Sequence, residues 1–166
     1  MSLMEITEQA RGNPLEVVER MAVTNDWSFE RAGEDEIAIL VRGKWADYRI
    51  SYTWMYDIEA LHLACAFEFK VPEHARGEVQ QLLSMINEQM WVGHFDFWFK
   101  DGLIMYRHAL VLTGGLAASG GQCESLLSTA LDACECHYPA FQFVVWAGKS
   151  AREALDAAVF NTAGTA

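Results

Sequence analysis

Alternation with a period of two, sustained over neighbouring long stretches, constrains this chain more than any other feature. Only a strand with one face in a core and the other face out of it calls for that pattern. Over about residues 45–55, Tyr48, Ile50, Tyr52 and Trp54 take one face while Asp47, Arg49, Ser51 and Thr53 take the other. Over about 60–71, Leu61, Leu63, Cys65, Phe67 and Phe69 alternate with Ala60, His62, Ala64, Ala66 and Glu68. Before them, Ile37, Ile39 and Val41 mark a further strand, and residues 27–31 a shorter one. Gly43-Lys44 reads as a two-residue turn between strands. Sequential strands with short turns pair antiparallel.

A second β segment lies at 94–108. Asp101-Gly102 is a favoured type I′ pair, which would set Lys100 opposite Leu103, Trp98 opposite Met105 and Asp96 opposite Arg107. Phe95, Phe97, Phe99, Ile104, Tyr106 and His108 then share the core face. His94, Asp96, Trp98, Met105 and Arg107 share the other.

Helices bracket these strands. Asn13-Pro14 supplies an N-cap and a first-turn proline ahead of Leu15, Val18, Met21 and Ala22 at helical spacing. Pro72-Glu73 opens a second helix whose stripe is Val79, Leu82, Leu83, Ile86 and Met90, with Gly93 ending it. A glycine-rich connection at 113–121 leads to Leu126, Leu127, Leu131 and Cys134. Pro139 is expected to interrupt or restart that helix. Ser150 and Glu153 form a capping box for a last one. The reading is α+β: an antiparallel sheet of about five to six strands packed against helices, in the order α-β-β-β-β-α-β-β-α-α. No β-α-β alternation argues for a parallel sheet. One domain, 1–166, accounts for the chain, with flexible ends at 1–12 and 162–166.

The net charge of −11 sets the chain against nucleic acid and anionic membrane surfaces, both of which select clustered Lys and Arg. No apolar stretch reaches the roughly 18 residues that crossing a bilayer takes. Residues 1–7 carry no secretion-signal pattern, so the expected compartment is the cytoplasm and the thiols of Cys65, Cys123, Cys134 and Cys136 are expected reduced. Cys134, Cys136 and His137 lack the spacing of a zinc site. The glycines at 114, 115, 120 and 121 lack the lysine of a phosphate loop. His94, Asp96 and Arg107 share a strand face, but no nucleophile accompanies them, and a cross-strand ion pair of Asp96 with Arg107 is the plainer reading. No catalytic, cofactor-binding or metal-binding residue is assigned.

What exceeds the ordinary is the aromatic content, with 6 Trp and 9 Phe. Outward positions such as Trp45, Trp98 and Met105 are hard to cover with helices on one side of a sheet. An uncovered face rich in Trp and Met calls for a partner. Trp98, Met105 and Arg107 are therefore the candidate protein-interaction surface, and a homodimer is expected.

The segments Ile86-Asn87, Gly93-His94-Phe95 and Met105-Tyr106-Arg107, with the aromatic hairpin between them, occur in this order. They are followed by Tyr138-Pro139-Ala140-Phe141-Gln142-Phe143-Val144-Val145-Trp146 and by Lys149-Ser150-Ala151-Arg152-Glu153-Ala154-Leu155. Together they resemble the YbjN family, described as bacterial sensory transduction regulators, and the likeness spans nearly the whole chain. The resemblance implies a fold like that of type III secretion chaperones, which commonly dimerise, and carries over no catalytic residue or cofactor. The expected function is a non-enzymatic protein-binding regulator or chaperone-like adaptor with a protein partner. The alternative is a small-molecule sensor or enzyme with a pocket between sheet and helices.

Overall fold

The computed structural model describes residues 12–163. The elements run α1 Pro14–Thr24, β1 Ser28–Arg31, β2 Glu36–Arg42, β3 Asp47–Met55, β4 Ala60–Ala66, α2 Arg76–Gln89, β5 His94–Trp98, β6 Leu103–Val111, α3 Gly120–Val145 and α4 Ala151–Ala163, with short 3-10 turns at Tyr56–Ile58 and Glu73–Ala75. This is the expected α+β element order. The strands make one 6-stranded sheet in the order β1-β2-β3-β4-β6-β5, antiparallel throughout. The expected flexible ends fall almost wholly outside the described residues.

Each element forms for a local reason. Leu15 N–H donates to the Asn13 side chain at 3.0 Å, and Pro14 occupies the first turn of α1. Ser119 caps α3 reciprocally with Gln122, so Gly120 and Gly121 belong to the helix rather than to the loop before it. α3 also runs through Pro139, which the sequence reading expected to break it. The proline ring is buried beside Tyr138 and Phe141, and that burial offsets the lost backbone bond. Ser150 and Glu153 cap α4, and Ala151 N–H donates to Glu78 of α2 at 2.7 Å, tying the last helix to the body.

All the apolar alternation points one way. Ile37, Ile39, Tyr48, Ile50, Tyr52, Leu61, Leu63, Cys65, Ile104 and Tyr106 are buried under the helices. Phe67, just past β4, is the hub of this core. Its ring lies 4.9 Å from Tyr138, 5.6 Å from Phe141, 6.1 Å from Phe95, 5.8 Å from Phe69 and 6.5 Å from Tyr48, centroid to centroid. These rings come from β3, β5, α3 and the segment after β4, so one side chain joins most of the fold.

Two turns differ from the sequence reading. Residues 43–46, not two residues, join β2 to β3, with Arg42 opposite Asp47. Glu135 of α3 accepts the N–H groups of Lys44 at 3.0 Å and Trp45 at 3.4 Å, holding the longer loop open. Residues 99–102 join β5 to β6, which places Trp98 opposite Leu103 and His94 opposite Arg107. Gly102 N–H closes this loop on Trp98 O at 2.7 Å, Val71 N–H reaches Gly102 O at 2.8 Å and Arg76 bonds Phe99 O at 3.1 Å. These contacts outweigh the type I′ preference. The register moves by two, so the paired side chains keep their expected faces, while Phe99, expected on the core face, falls in the loop and is exposed.

The β4–β5–β6 end depends on Asn87 and Gly93. Asn87 donates to Phe95 O and accepts from Phe95 N–H, both at 2.8 Å, pairing edge strand β5 from a helix. Gly93 sits at φ +68°, and a Cβ there would collide with the Tyr106 hydroxyl. Truncating the hub should be severe: Phe67→Ala is expected to lower unfolding free energy by about 3–5 kcal/mol, measured by urea denaturation. A loss under about 1 kcal/mol would show that the surrounding rings hold together without it.

Candidate functional site

Among the described residues, no helix covers the second face of the sheet. It carries Leu40, Arg49, Ser51, Thr53, Met55, His62, Ala64, Ala66, Arg107, Ala109, Val111, His94, Asp96 and Trp98, all at least partly exposed. Ala38, Ala60 and Met105 are the buried exceptions on this face. Register sets its relief. Glu30, Ala38, Ser51, Ala64, Arg107 and His94 stand opposite one another strand by strand. Small side chains therefore make a shallow lane in mid-sheet, with charges at either side.

On the β5 side of the lane the polar groups are joined. Arg107 Nη1 donates to Asp96 Oδ2 at 3.0 Å, and Arg107 Nε donates to His62 Nε2 at 3.1 Å. His94 Nε2 lies 3.7 Å from the same Asp96 oxygen. Asp96 and Arg107 are the ion pair foreseen from sequence, reached diagonally because Asp96 faces Met105 directly. Both are partly exposed, so the pair contributes at most about 1 kcal/mol. His62 accepts at Nε2, which places its own proton on Nδ1. Burial first, then the Arg107 cation, then His94 hold the imidazole below its ordinary pKa. His108 and His137 are also lowered, mainly by burial.

The predicted surface residues are placed unequally. Arg107 centres the cluster. Trp98 is 42% exposed at the hairpin end of the face, whereas Met105 is only 9% exposed. Trp45 lies in the 43–46 loop, off the sheet, with the Lys44 ammonium 4.9 Å from its ring centre. Sequence reasoning missed three features: the bond from His62 to Arg107, the exposed Leu40 and Met55, and Trp91, which is 98% exposed beside β5. The His62 bond has no local signal, because β4 and β6 are neighbours only through the sheet order.

Among the described residues no serine, threonine or cysteine bonds into the cluster, so the geometry holds no nucleophile against a base. Cys134 is buried in α3 and Cys136 is exposed, two residues on and turned away. Among the described residues no helix is long and apolar enough to cross a membrane. A cleft of about 680 Å³ opens at one end of the sheet, where the start of α1, residues 56–59 and the loop after β6 meet. Trp54, Tyr56, Asp57, Leu112 and Leu116 are among its lining residues.

The linkage between the histidines and stability has a definite sign. A lowered folded pKa means that the unfolded chain takes up protons first, so stability is full above about pH 6.5 and falls as pH drops below it. Urea midpoints should therefore decline between pH 7.5 and 5.5. In an NMR titration His62 should change below pH 6.5, and Arg107→Gln should raise its pKa only part of the way back, since burial is the larger cause. An unmoved His62 in that variant would mean the guanidinium contact does not persist in solution.

Comparison with known proteins comes to the same fold. Residues 14–143 match the profile of the YbjN family, described as "Putative bacterial sensory transduction regulator". Among solved structures the chain is similar to the crystal structure of YbjN, "a putative transcription regulator from E. coli". The TM-score is 0.53 and the identity 11%, over 73% of this chain and 85% of that one. At that identity the likeness speaks for fold. No curated protein matches this sequence.

Proposed function

The chain belongs to the YbjN family, and on that footing we propose that it is a non-enzymatic regulator that works by binding protein, first of all a second copy of itself, in the cytoplasm. One observation carries the reading. Among the described residues one sheet face lies without a helix over it, and that face mixes Leu40, Met55, Trp98 and Val111 with a lane of alanines. Small residues let another backbone approach closely, and the large apolar ones around them supply the burial. Covering about 400 Å² of apolar surface contributes on the order of 10 kcal/mol, similar to the cost of association. The expected pairing is therefore reversible. Arg107, braced by Asp96 and His62, gives the face a fixed polar group that can set register between partners. The acidic character of the chain supports a partner other than nucleic acid or membrane lipid.

The cleft at the sheet end supports a second reading, a small-molecule sensor. Its volume of about 680 Å³ lies within the usual range for ligands, and it joins aromatic to acidic groups. It lies at the end of the sheet rather than between sheet and helices.

Sedimentation velocity at micromolar concentration separates the two. The wild-type chain should sediment as a dimer, and Trp98→Asp or Leu40→Asp should shift it to monomer with a melting temperature changed by no more than a few degrees. A wild-type monomer at all concentrations, stabilised in a thermal-shift screen by a metabolite, would favour the sensor instead.

A further inference from the structure

β6 is longer than its neighbour β5. The two pair from Trp98 opposite Leu103 to His94 opposite Arg107, and there β5 begins. Gly93, at φ +68°, turns the preceding chain off the sheet, and Val92 O accepts the Tyr106 hydroxyl as it leaves. β6 nevertheless continues to Val111, still paired to β4 on its other side. Among the described residues, 108–111 thus form a stretch of strand with one partner.

The direction of its main-chain groups follows from bonds already described. Asn87 engages both main-chain groups of Phe95 from the side away from β6. In an antiparallel pair successive residues alternate sides. Arg107 therefore bonds toward β5, while Tyr106 and His108 bond toward β4. Two bonds agree: Phe67 N–H donates to Ile104 O at 2.9 Å, and Leu112 N–H donates to Glu59 O at 2.7 Å, both even-numbered β6-side residues facing β4. The same alternation turns the N–H and C=O groups of Ala109 and Val111 to the open side. Both residues are exposed, and among the described residues no main-chain bond joins either to anything on that side. By contrast, on the free edge of β5 Asn87 engages both main-chain groups of Phe95.

Beside this edge runs a shallow groove of about 460 Å³, walled by Val92 and by the first turns of α3, with Leu110 and Leu126 as its apolar surface and Gln122, Ser125 and Thr129 as its polar one. It has no Asp, Glu, Lys or Arg in its lining. Trp91, almost fully exposed, adjoins Val92 at the rim.

We infer that the edge of β6 at Ala109–Val111 is a strand-addition site for a short, uncharged, extended segment of a partner polypeptide. The segment continues the line of β5, pairs its main chain with Ala109 and Val111, and directs every second side chain into the groove toward Leu110 and Leu126. Unpaired amides and carbonyls at a spacing of two residues select a polypeptide main chain over other ligands. An uncharged lining selects an uncharged segment. The edge is also one wall of a groove, not a free rim. A second copy would bring the same walls with it, so a single extended segment is the better fit. This site is separate from the uncovered sheet face proposed above for self-association.

The probe is a displayed library of random, end-capped heptapeptides selected on the full chain, followed by fluorescence anisotropy with the strongest binder. The expected peptide is uncharged with apolar residues at alternate positions. Adding it should slow amide exchange at Ala109 and Val111 selectively. Ala109→Pro should weaken it at least tenfold, because proline removes one main-chain donor at an edge position where it is tolerated. Backbone N-methylation of the peptide, which keeps every side chain, should weaken it as much, and this arm needs no variant to fold. Trp98→Asp should bind normally, even where it abolishes dimers. Three results would overturn the inference: no selectable peptide, full binding by the N-methylated peptide, or protection of Ala109 and Val111 that rises with protein concentration alone.

Discussion

The packing of aromatic rings around Phe67 decides most of what this molecule is. Tyr48 from β3, Phe95 from β5, and Tyr138 and Phe141 from α3 all meet that ring. Because the largest side chains lie on one face of the sheet, the helices can bury apolar surface only by stacking there. α3 must be long enough to cross the aromatic cluster, and it runs intact through Pro139 to do so. α4 then packs on α3 and α2. The cost of this arrangement is a sheet whose second face no element among the described residues covers. The features proposed as functional are all on that face or at the sheet's rim, which is a consequence of where the core was built.

Two residues near the end of α2, Asn87 and Gly93, regulate the rim. Asn87 does the work of a strand for Phe95, so that position on the edge of β5 is closed by the protein's own helix. Gly93 turns the chain at a point where the Tyr106 ring leaves no space for a Cβ. One residue blocks pairing and the other shortens β5, leaving the end of β6 open. An edge managed at one position and exposed at the next is a specific arrangement, since unguarded edges otherwise invite indiscriminate association.

Much of this was legible in the residues. The faces of β2, β3, β4 and the 94–108 hairpin followed from alternation, and they survived a two-residue error in register because the side-chain period is two. The ion pair of Asp96 with Arg107 followed for the same reason. The loops were misread where distant groups fix them. Glu135 holds residues 43–46 from a helix some ninety positions along the chain, and Val71 and Arg76 hold residues 99–102. Local turn preferences amount to about 1 kcal/mol or less, which a pair of such bonds overrides.

By itself the sequence determined the element order, the buried face of every strand, the caps of α1 and α4, and the surplus of large apolar groups over what one core can hold. Those depend on neighbours a few positions away. Only the tertiary structure decided that β6 lies between β4 and β5, that His62 meets Arg107, that Met105 is shielded while Trp91 is bare, and that β6 outruns its partner. Each of these is set by contact between segments far apart in the chain. Such contacts have no period to read, because they depend on which strands become neighbours once the core has closed.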